Sequence, residues 1–230
     1  MPNYYRNRLT VLHDSPKRVE EVMAAIRSEE REVIDFNRII PMPEPLRDKD
    51  HDVLGEYAAK RLIEQAFPRT LCEYDRRQAL QQHAELKPEV RERAEAEGRQ
   101  MLRNIADYGY ASFLYWAINN WGTKWNSMGD DKEMRREDNT IYFETANGYC
   151  RPIVEALSRR FPDVGFAYAA ADEDKGARAI KGVFRDGAFD GIEEHLTPAA
   201  FDICWELFPE SKAEWHQLPS GMWKLNEEEE

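Results

Sequence analysis

The pattern of apolar and polar residues at the start of the chain predicts two strands and a helix, which would form the first half of an α+β sandwich. Residues 8–13 alternate with the period of a strand, and a helix is expected to begin at Pro16. Residues 35–40 form a second strand-like run, which three prolines follow. This order predicts a β-α-β unit with parallel strands, the first half of a sandwich, over residues 1–49.

Helical periodicity then dominates residues 50–120, which we interpret as an insertion into the sandwich. Apolar positions recur at helical spacing over residues 52–67, and the stretch that follows is rich in Ala, Glu, Arg and Gln. Pro88 is expected to divide that stretch into two helices. A last helix over residues 107–120 is predicted to end at Gly122 as a left-handed cap.

Short alternating strands return after the insertion. Residues 140–145 alternate, a helix begins at Pro152, and residues 164–169 predict another strand. A hairpin and a final helix complete a second half over residues 121–210, ahead of an acidic tail over residues 211–230. Without the insertion, the chain has the plan of an α+β ferredoxin-like β-α-β…β-α-β sandwich with a C-terminal hairpin and helix extension.

The acidic charge is concentrated in the last third of the chain. The net charge is −12, of which residues 1–162 contribute −2 and residues 163–230 contribute −10. An acidic surface repels phosphate backbones and attracts basic partners, although acidic charge also serves solubility. We expect an acidic C-terminal face that binds a basic surface on a host protein. Its predicted members are Asp172, Glu173, Asp174, Asp186, Asp190, Glu193 and Glu194.

Cysteine usage and motif content argue against a cofactor. Three separated cysteines without a CxxC pair fit a reducing compartment and cannot hold an iron–sulfur cluster. Close pairs of zinc ligands and nucleotide-binding glycine motifs are both absent from the sequence. With no signal-like or membrane-length apolar run, we expect a cytoplasmic protein with no metal and no cofactor. We expect no catalysis; a hydrolase or nuclease that uses His13 and Asp14 is the least favoured alternative.

The stretch from Asn119 to Asn126 marks the change from helix to sheet. Trp121, Gly122 and Trp125 form a predicted structural pivot, with both indoles buried where the insertion rejoins the sandwich. The alternative interpretation gives Lys124 and an exposed Trp a role in stacking on bases or on a partner.

A second functional hypothesis is a module that binds RNA or single-stranded DNA. Ferredoxin-like sandwiches commonly bind single strands through aromatic residues on the exposed face of the sheet. The sequence lacks the Lys/Arg-Gly-Phe pattern of such modules, so a local basic patch would be needed. The residues assigned to this hypothesis are Lys124, Tyr142, Tyr168, Arg159 and Arg160.

One family has a similar order of motifs. An aromatic helix ends in NWGTKWN, a strand reaches Thr145-Ala146, and a helix of the form PIVEALSRRFPD precedes a strand and an acidic hairpin. This order resembles the YubB-like proteins of plasmids, phages and genomic islands, most strongly from Tyr108 to Arg185. That family has a Trp-Ser-Pro-Pro-like segment after the third strand, where this chain has NGYCRP. The resemblance implies a ferredoxin-like domain and a mobile-element setting, in which antagonism of a nucleic-acid-binding defence system is one concrete role.

Overall fold

A computed structural model describes residues 2–47, 53–66, 71–130 and 132–226, except for the side chain of His83. The chain forms two compact units. The first, the sheet unit, is made of Met1–Pro41 and Ala117–Glu230, and the second, the helical unit, is made of Met42–Trp116. None of the helices in the described ranges has the length and apolar character needed to cross a membrane.

The sheet unit contains both helices and strands, whereas the helical unit contains helices alone among its described residues. In chain order the elements are β1 (Tyr4–Leu12), α1 (Pro16–Ile26), α2 (Glu44–Arg47), α3 (Val53–Ala66), α4 (Glu73–Ala84), α5 (Pro88–Tyr108), α6 (Phe113–Trp121), β2 (Arg135–Glu137), β3 (Thr140–Ala146), α7 (Arg151–Arg160), β4 (Gly165–Asp172), β5 (Ala179–Arg185), β6 (Ala188–Glu194), α8 (Pro198–Leu207), β7 (Trp215–Gln217) and β8 (Trp223–Leu225). The predicted α+β class is therefore confirmed.

Six strands form one antiparallel sheet in the order β2-β3-β1-β4-β5-β6. Strands β3 and β4 lie on either side of β1, and α7 connects them. Both run antiparallel to β1, so they run parallel to each other. The hairpin β7–β8 forms a separate two-stranded sheet.

The strand predicted at residues 35–40 is wrong. Residues Phe36–Arg38 form a short 3₁₀ helix, and the Asp35 carboxylate accepts a hydrogen bond from the Asn37 N–H at 2.9 Å. Such a local turn supplies the backbone partner that a neighbouring strand would otherwise have supplied. The chain therefore does not begin with a parallel β-α-β unit. Residues 123–126, where the chain changes from helix to sheet, form bends and no strand.

The main sheet has two different faces. On β1 the buried residues alternate with half-exposed ones, so Leu9 and Val11 face one side while Arg6 and Arg8 face the other. We call the first side the inner face; it carries the bulky core and packs against α7. The second side is the outer face, and α8 covers the part of it that lies over β4 and β5.

Small residues line the main helix contact of the helical unit. Gly98 of α5 lies so close to α3 that a Cβ at this position would be 2.7 Å from the Ala59 amide nitrogen. Helix α5 ends at Gly109, whose φ is +79°, and α6 begins only at residue 113. The helix predicted over residues 107–120 is therefore wrong at its start. Gly122 does have the left-handed conformation of a cap, with φ of +81°.

Candidate interaction surface

The β5–β6 hairpin carries most of the accessible acidic residues that the sequence singled out. Its turn consists of Asp186 and Gly187, which have φ values of +46° and +77°. Positive φ at both central positions defines the tight two-residue turn that matches the twist of paired strands. The Gly187 N–H donates a hydrogen bond to the Ser158 hydroxyl at 2.9 Å, which attaches the turn to α7.

Strand β6 lies at the edge of the sheet, so every second residue of β6 directs its N–H and C=O groups away from the sheet. A two-residue turn makes its flanking residues, Arg185 and Ala188, a hydrogen-bonded pair, and the pairing then alternates along the strands. The main-chain groups of Phe189, Gly191 and Glu193 therefore point outward. Among the described residues no other strand pairs with this edge.

The outer-face side of β6 presents an acidic, apolar, acidic pattern. Asp190 is exposed, Ile192 is 44% exposed, and Glu194 is half-buried. These side chains share one face because they occupy alternate positions of a strand. The carboxylate of Glu194 accepts a hydrogen bond from the Thr197 hydroxyl at 2.8 Å, which fixes its position.

Aromatic and ionic contacts hold β6 on its other side. The ring of Phe189 stacks on Phe184 with centroids 4.6 Å apart, and the Arg151 guanidinium lies 5.0 Å from the Phe189 ring centroid. Glu193 forms an ion pair with Arg151 and accepts a hydrogen bond from the Tyr149 hydroxyl at 2.7 Å. The edge strand is thus anchored to α7 and to the loop before it.

The acidic residues that the sequence predicts do not form a single face. One of them is buried, and the others lie in two parts of the chain. Asp172 is only 4% exposed, and together with burial its carboxylate raises the pKa of the neighbouring Tyr5 phenol. Glu173 and Asp174 are exposed, but both form hydrogen bonds with residues near the start of the chain. Glu173 accepts a hydrogen bond from the Tyr4 N–H at 2.8 Å, and Asp174 accepts one from the Asn3 side-chain amide at 2.7 Å. Asp186, Asp190, Glu193 and Glu194 remain as the acidic group of the β5–β6 hairpin.

The predicted nucleic-acid residues do not form one surface. Tyr168 is 2% exposed on the inner face, where its hydroxyl donates to Asn7 Oδ1 at 2.5 Å and accepts from the Cys150 N–H at 3.1 Å. Burial raises the pKa of Tyr168 well above its ordinary value. A role for Tyr168 in stacking on bases is therefore wrong. Tyr142 lies on the opposite, outer face, with the Arg135 guanidinium 4.0 Å from its ring centroid.

Arg159 and Arg160 also lie apart from Tyr142. Arg159 and Arg160 belong to α7, on the inner-face side, where Arg160 donates to the Arg38 carbonyl at 2.8 Å. The Lys124 ammonium lies 4.6 Å from the ring centroid of Trp125. Arg159 and Arg160 therefore cannot supply a patch around Tyr142, and the Lys124 backbone pairs with Ala146, four residues along β3 from Tyr142.

The outer face does contain a groove that the sequence analysis missed. A cavity of about 450 Å³ is lined by Arg6, Arg8, Arg135 and Tyr142 together with Glu206, and a second cavity of about 440 Å³ shares Arg8 and Tyr142 with it. The alternation of Arg6 and Arg8 with the buried residues of β1 was the available signal for this groove.

A glutamate from α8 already neutralises part of this groove. Glu206 accepts a hydrogen bond from Arg8 at 2.8 Å and also pairs with Lys181. Burial alone would raise the pKa of Glu206, but the hydrogen bonds from Lys181 and Arg8 lower it overall. The groove therefore presents paired charges, with Tyr142 beside them.

The predicted pivot has one buried and one half-buried indole. Trp121 is 3% exposed, its Nε1–H donates to the Ile40 carbonyl at 2.9 Å, and its ring meets Phe36 edge to face with centroids 5.7 Å apart. A Cβ on Gly122 would lie 2.8 Å from the Tyr149 carbonyl oxygen. Trp125 is only half-buried, so its predicted burial is wrong in degree.

No catalytic or metal-binding arrangement stands out in the described part of the chain. No group of three His, Cys, Asp or Glu residues there is placed to hold a metal ion. Cys150 is fully buried, and burial raises the pKa of its thiol to about 12, so it is not a nucleophile at neutral pH. His13 lies 3.9 Å from Asp163 at the surface, whereas His51 and Asp52 lie outside the described residues.

Comparison of the chain with protein-family models, with curated proteins and with solved structures finds no significant match.

Proposed function

We propose that this chain is a non-enzymatic interaction protein whose β5–β6 hairpin binds a basic surface of a partner protein. One observation carries the proposal: β6 is an exposed edge strand that presents Asp190 and Glu194 on either side of the exposed Ile192. The net charge of −10 over residues 163–230 adds a field that attracts basic partners over a longer range.

The resemblance to YubB-like proteins supports a setting for this function. It favours a cytoplasmic accessory protein of a plasmid, phage or genomic island, whose partner is a host protein with a basic surface. A nucleic-acid-binding defence protein has such a surface, because it must bind phosphate backbones. The strand order β2-β3-β1-β4, with α7 joining β3 to β4, supports the ferredoxin-like arrangement that the resemblance implies.

A charge-matched pull-down tests the proposal. The immobilised chain should retain basic proteins from a host lysate, and higher salt should reduce their retention. The triple variant Asp186→Asn, Asp190→Asn, Glu194→Gln should retain markedly less. The control triple variant Glu29→Gln, Glu30→Gln, Glu32→Gln removes the same charge from exposed positions of another loop and should retain as much as the wild type. Equal retention by the two triple variants would refute a role for the hairpin.

Binding of RNA or single-stranded DNA is a second candidate function. It is favoured by the outer-face groove. There Tyr142 can stack on a base, while Arg8 and Arg135 lie near the phosphates of the same nucleic-acid strand. Fluorescence anisotropy with labelled oligonucleotides at low salt tests this candidate. Binding that Tyr142→Ala weakens while Tyr142→Phe preserves it would support the groove, and the absence of binding at micromolar protein would remove the candidate.

A further inference from the structure

We propose that β6 binds its partner by strand addition, so that a basic extended segment becomes the seventh strand of the sheet. This inference rests on the proposed function and specifies how the partner is recognised. The segment should place a basic, an apolar and a basic side chain at alternate positions. Main-chain hydrogen bonds would supply affinity, and these alternate side chains would supply specificity.

The free main-chain groups of β6 supply the first argument. Phe189, Gly191 and Glu193 direct their N–H and C=O groups away from β5, so an added strand can pair with three successive outward positions. The opposite edge of the sheet is β2, which has only three residues, and very short edge strands resist strand addition. The seven residues of β6 make it the long edge.

The edge is ordered before any partner arrives. Its turn is attached to Ser158, Phe189 stacks on Phe184, and Glu193 is paired with Arg151. The Phe189 ring also lies over the neighbouring Gly191, where a Cβ would meet the ring at 2.7 Å. An edge that is already held in place loses little conformational entropy when a strand adds to it.

The side chains of β6 select the charge of the added strand. Directly opposed residues on adjacent strands have Cβ atoms about 5 Å apart, close enough for ion pairs. Lys or Arg residues opposite Asp190 and Glu194, with an apolar residue opposite Ile192, would satisfy all three side chains. Antiparallel pairing of a second copy centred on Ile192 would be disfavoured, because it would oppose Asp190 of one copy with Glu194 of the other.

Peptides with blocked amides test strand addition on the intact protein. The probe is a short synthetic peptide centred on Lys-Thr-Val-Thr-Lys, titrated into the full chain at low salt and followed by NMR. Two derivatives of the peptide carry N-methyl groups on their backbone amides. One derivative is methylated at the odd-numbered residues of the peptide, and the other at the even-numbered residues. An added strand directs only one of these sets toward β6, so one derivative should bind about tenfold or more weakly while the other binds like the parent.

Amide hydrogen exchange locates the contact. On addition of the parent peptide, the outward amides of Phe189, Gly191 and Glu193 should gain protection, whereas the amides of Asp190 and Ile192 already pair with β5 and should change little. The charge-reversed variant Asp190→Lys, Glu194→Lys should lose the parent peptide and bind a peptide centred on Glu-Thr-Val-Thr-Glu. The N-methyl comparison on the wild type does not depend on whether this variant folds.

The outcomes separate this inference from the proposed function. Equal binding of both N-methyl derivatives, with loss in the Asp190→Lys, Glu194→Lys variant, would overturn strand addition and leave binding through acidic side chains. No peptide binding by a chain whose hairpin still retains basic proteins would also overturn strand addition. Dimers that form on gel filtration and protect the same three amides would show that a second copy, not a basic strand, occupies the edge.

Discussion

The sheet unit and the helical unit bury side chains of different size. The interior of the sheet unit is built from large side chains such as Phe36, Phe143 and Phe166, all of them fully buried. In the described part of the helical unit, the buried residues along α3 and α5 are mostly Gly and Ala, with Met101 and Asn104 as the larger exceptions. Large side chains transfer more apolar surface from water, so each buried position of the sheet unit should stabilise more.

Ion pairs connect the helices of the helical unit. Lys60 pairs with Glu56 and Asp75, and Arg61 of α3 reaches Glu95 of α5 at 3.1 Å. Because partly exposed pairs typically contribute about 1 kcal/mol or less each, they do not replace a large core. We therefore expect faster amide exchange in α3–α5 than in the central strands β1 and β4.

The largest effect is expected from Trp121→Ala in the sheet unit. This change leaves a cavity beside Phe36 and removes the hydrogen bond to the Ile40 carbonyl. The free energy of unfolding should fall by about 3–5 kcal/mol. Urea denaturation followed by far-UV circular dichroism measures it. Trp125→Ala is the matched control and should cost less, because that indole is half-buried; equal losses would show that burial does not set the difference.

The next effect is expected from Tyr168→Phe in the same unit. Without the hydroxyl, Asn7 Oδ1 loses a donor and the Cys150 N–H loses its acceptor, both in the fully buried interior. Unsatisfied buried polar groups cost about 1–3 kcal/mol, which should appear as a lower urea midpoint. The half-buried Tyr142 provides the comparison. If Tyr142→Phe is as costly as Tyr168→Phe, the buried network is not the cause.

A smaller effect is expected from Gly98→Ala in the helical unit. Ala favours a helix by about 1 kcal/mol relative to Gly, but the new Cβ would meet the α3 backbone, and overpacking costs about 1–3 kcal/mol. The net result should be a modest loss of stability and faster amide exchange in α3. Ala96→Gly, at an exposed position of α5, measures the effect of helix propensity alone on the free energy of unfolding. Stabilisation by Gly98→Ala would mean that the two helices can separate at no cost.

The smallest effect is expected from Lys60→Gln. Hydrogen bonds from the Cys72 thiol and then from Lys60 lower the pKa of Asp75, so this carboxylate contributes stability above its ordinary pKa of 3.8 and loses the contribution as pH falls through the lowered value. NMR titration should place the midpoint of Asp75 below 3.8 in the wild type, and Lys60→Gln should raise it. Stability at neutral pH should change little, because exposed ion pairs contribute little. An unchanged midpoint would argue against the pair in solution.

Much of the fold could be predicted from local patterns, and the failures have physical causes. The alternating residues of β1 and β3 and the proline-initiated helices α1 and α7 were predictable, since each pattern reflects one buried face. Residues 35–40 have strand-like composition, but Asp35 satisfies the backbone locally and the chain turns. Gly109 adopts a left-handed conformation and ends α5, which separates it from α6.

The candidate site was less predictable, because α8 covers the part of the outer face that lies over β4 and β5. Strand β4 has the sequence GFAYAAAD and is buried at all but one position, so its alternation does not reveal which side chains are accessible. Tyr168 and Asp172 therefore looked available although both are buried. The hairpin acids could be recognised from the Asp-Gly turn, but the free edge of β6 depends on the strand order, which residue patterns do not encode.

The central position of β1 constrains the order in which the protein can fold during synthesis. Its Asn7 side chain bonds to residues 138 and 161 positions later in the chain, Thr145 and Tyr168. Translation is slow compared with helix formation, so the helices of residues 42–116 can form while β1 still has no partner strand. A ribosome-bound chain should therefore expose an unpaired, amphipathic β1 until β3 has emerged, and chaperones that recognise extended apolar segments should bind it during that interval.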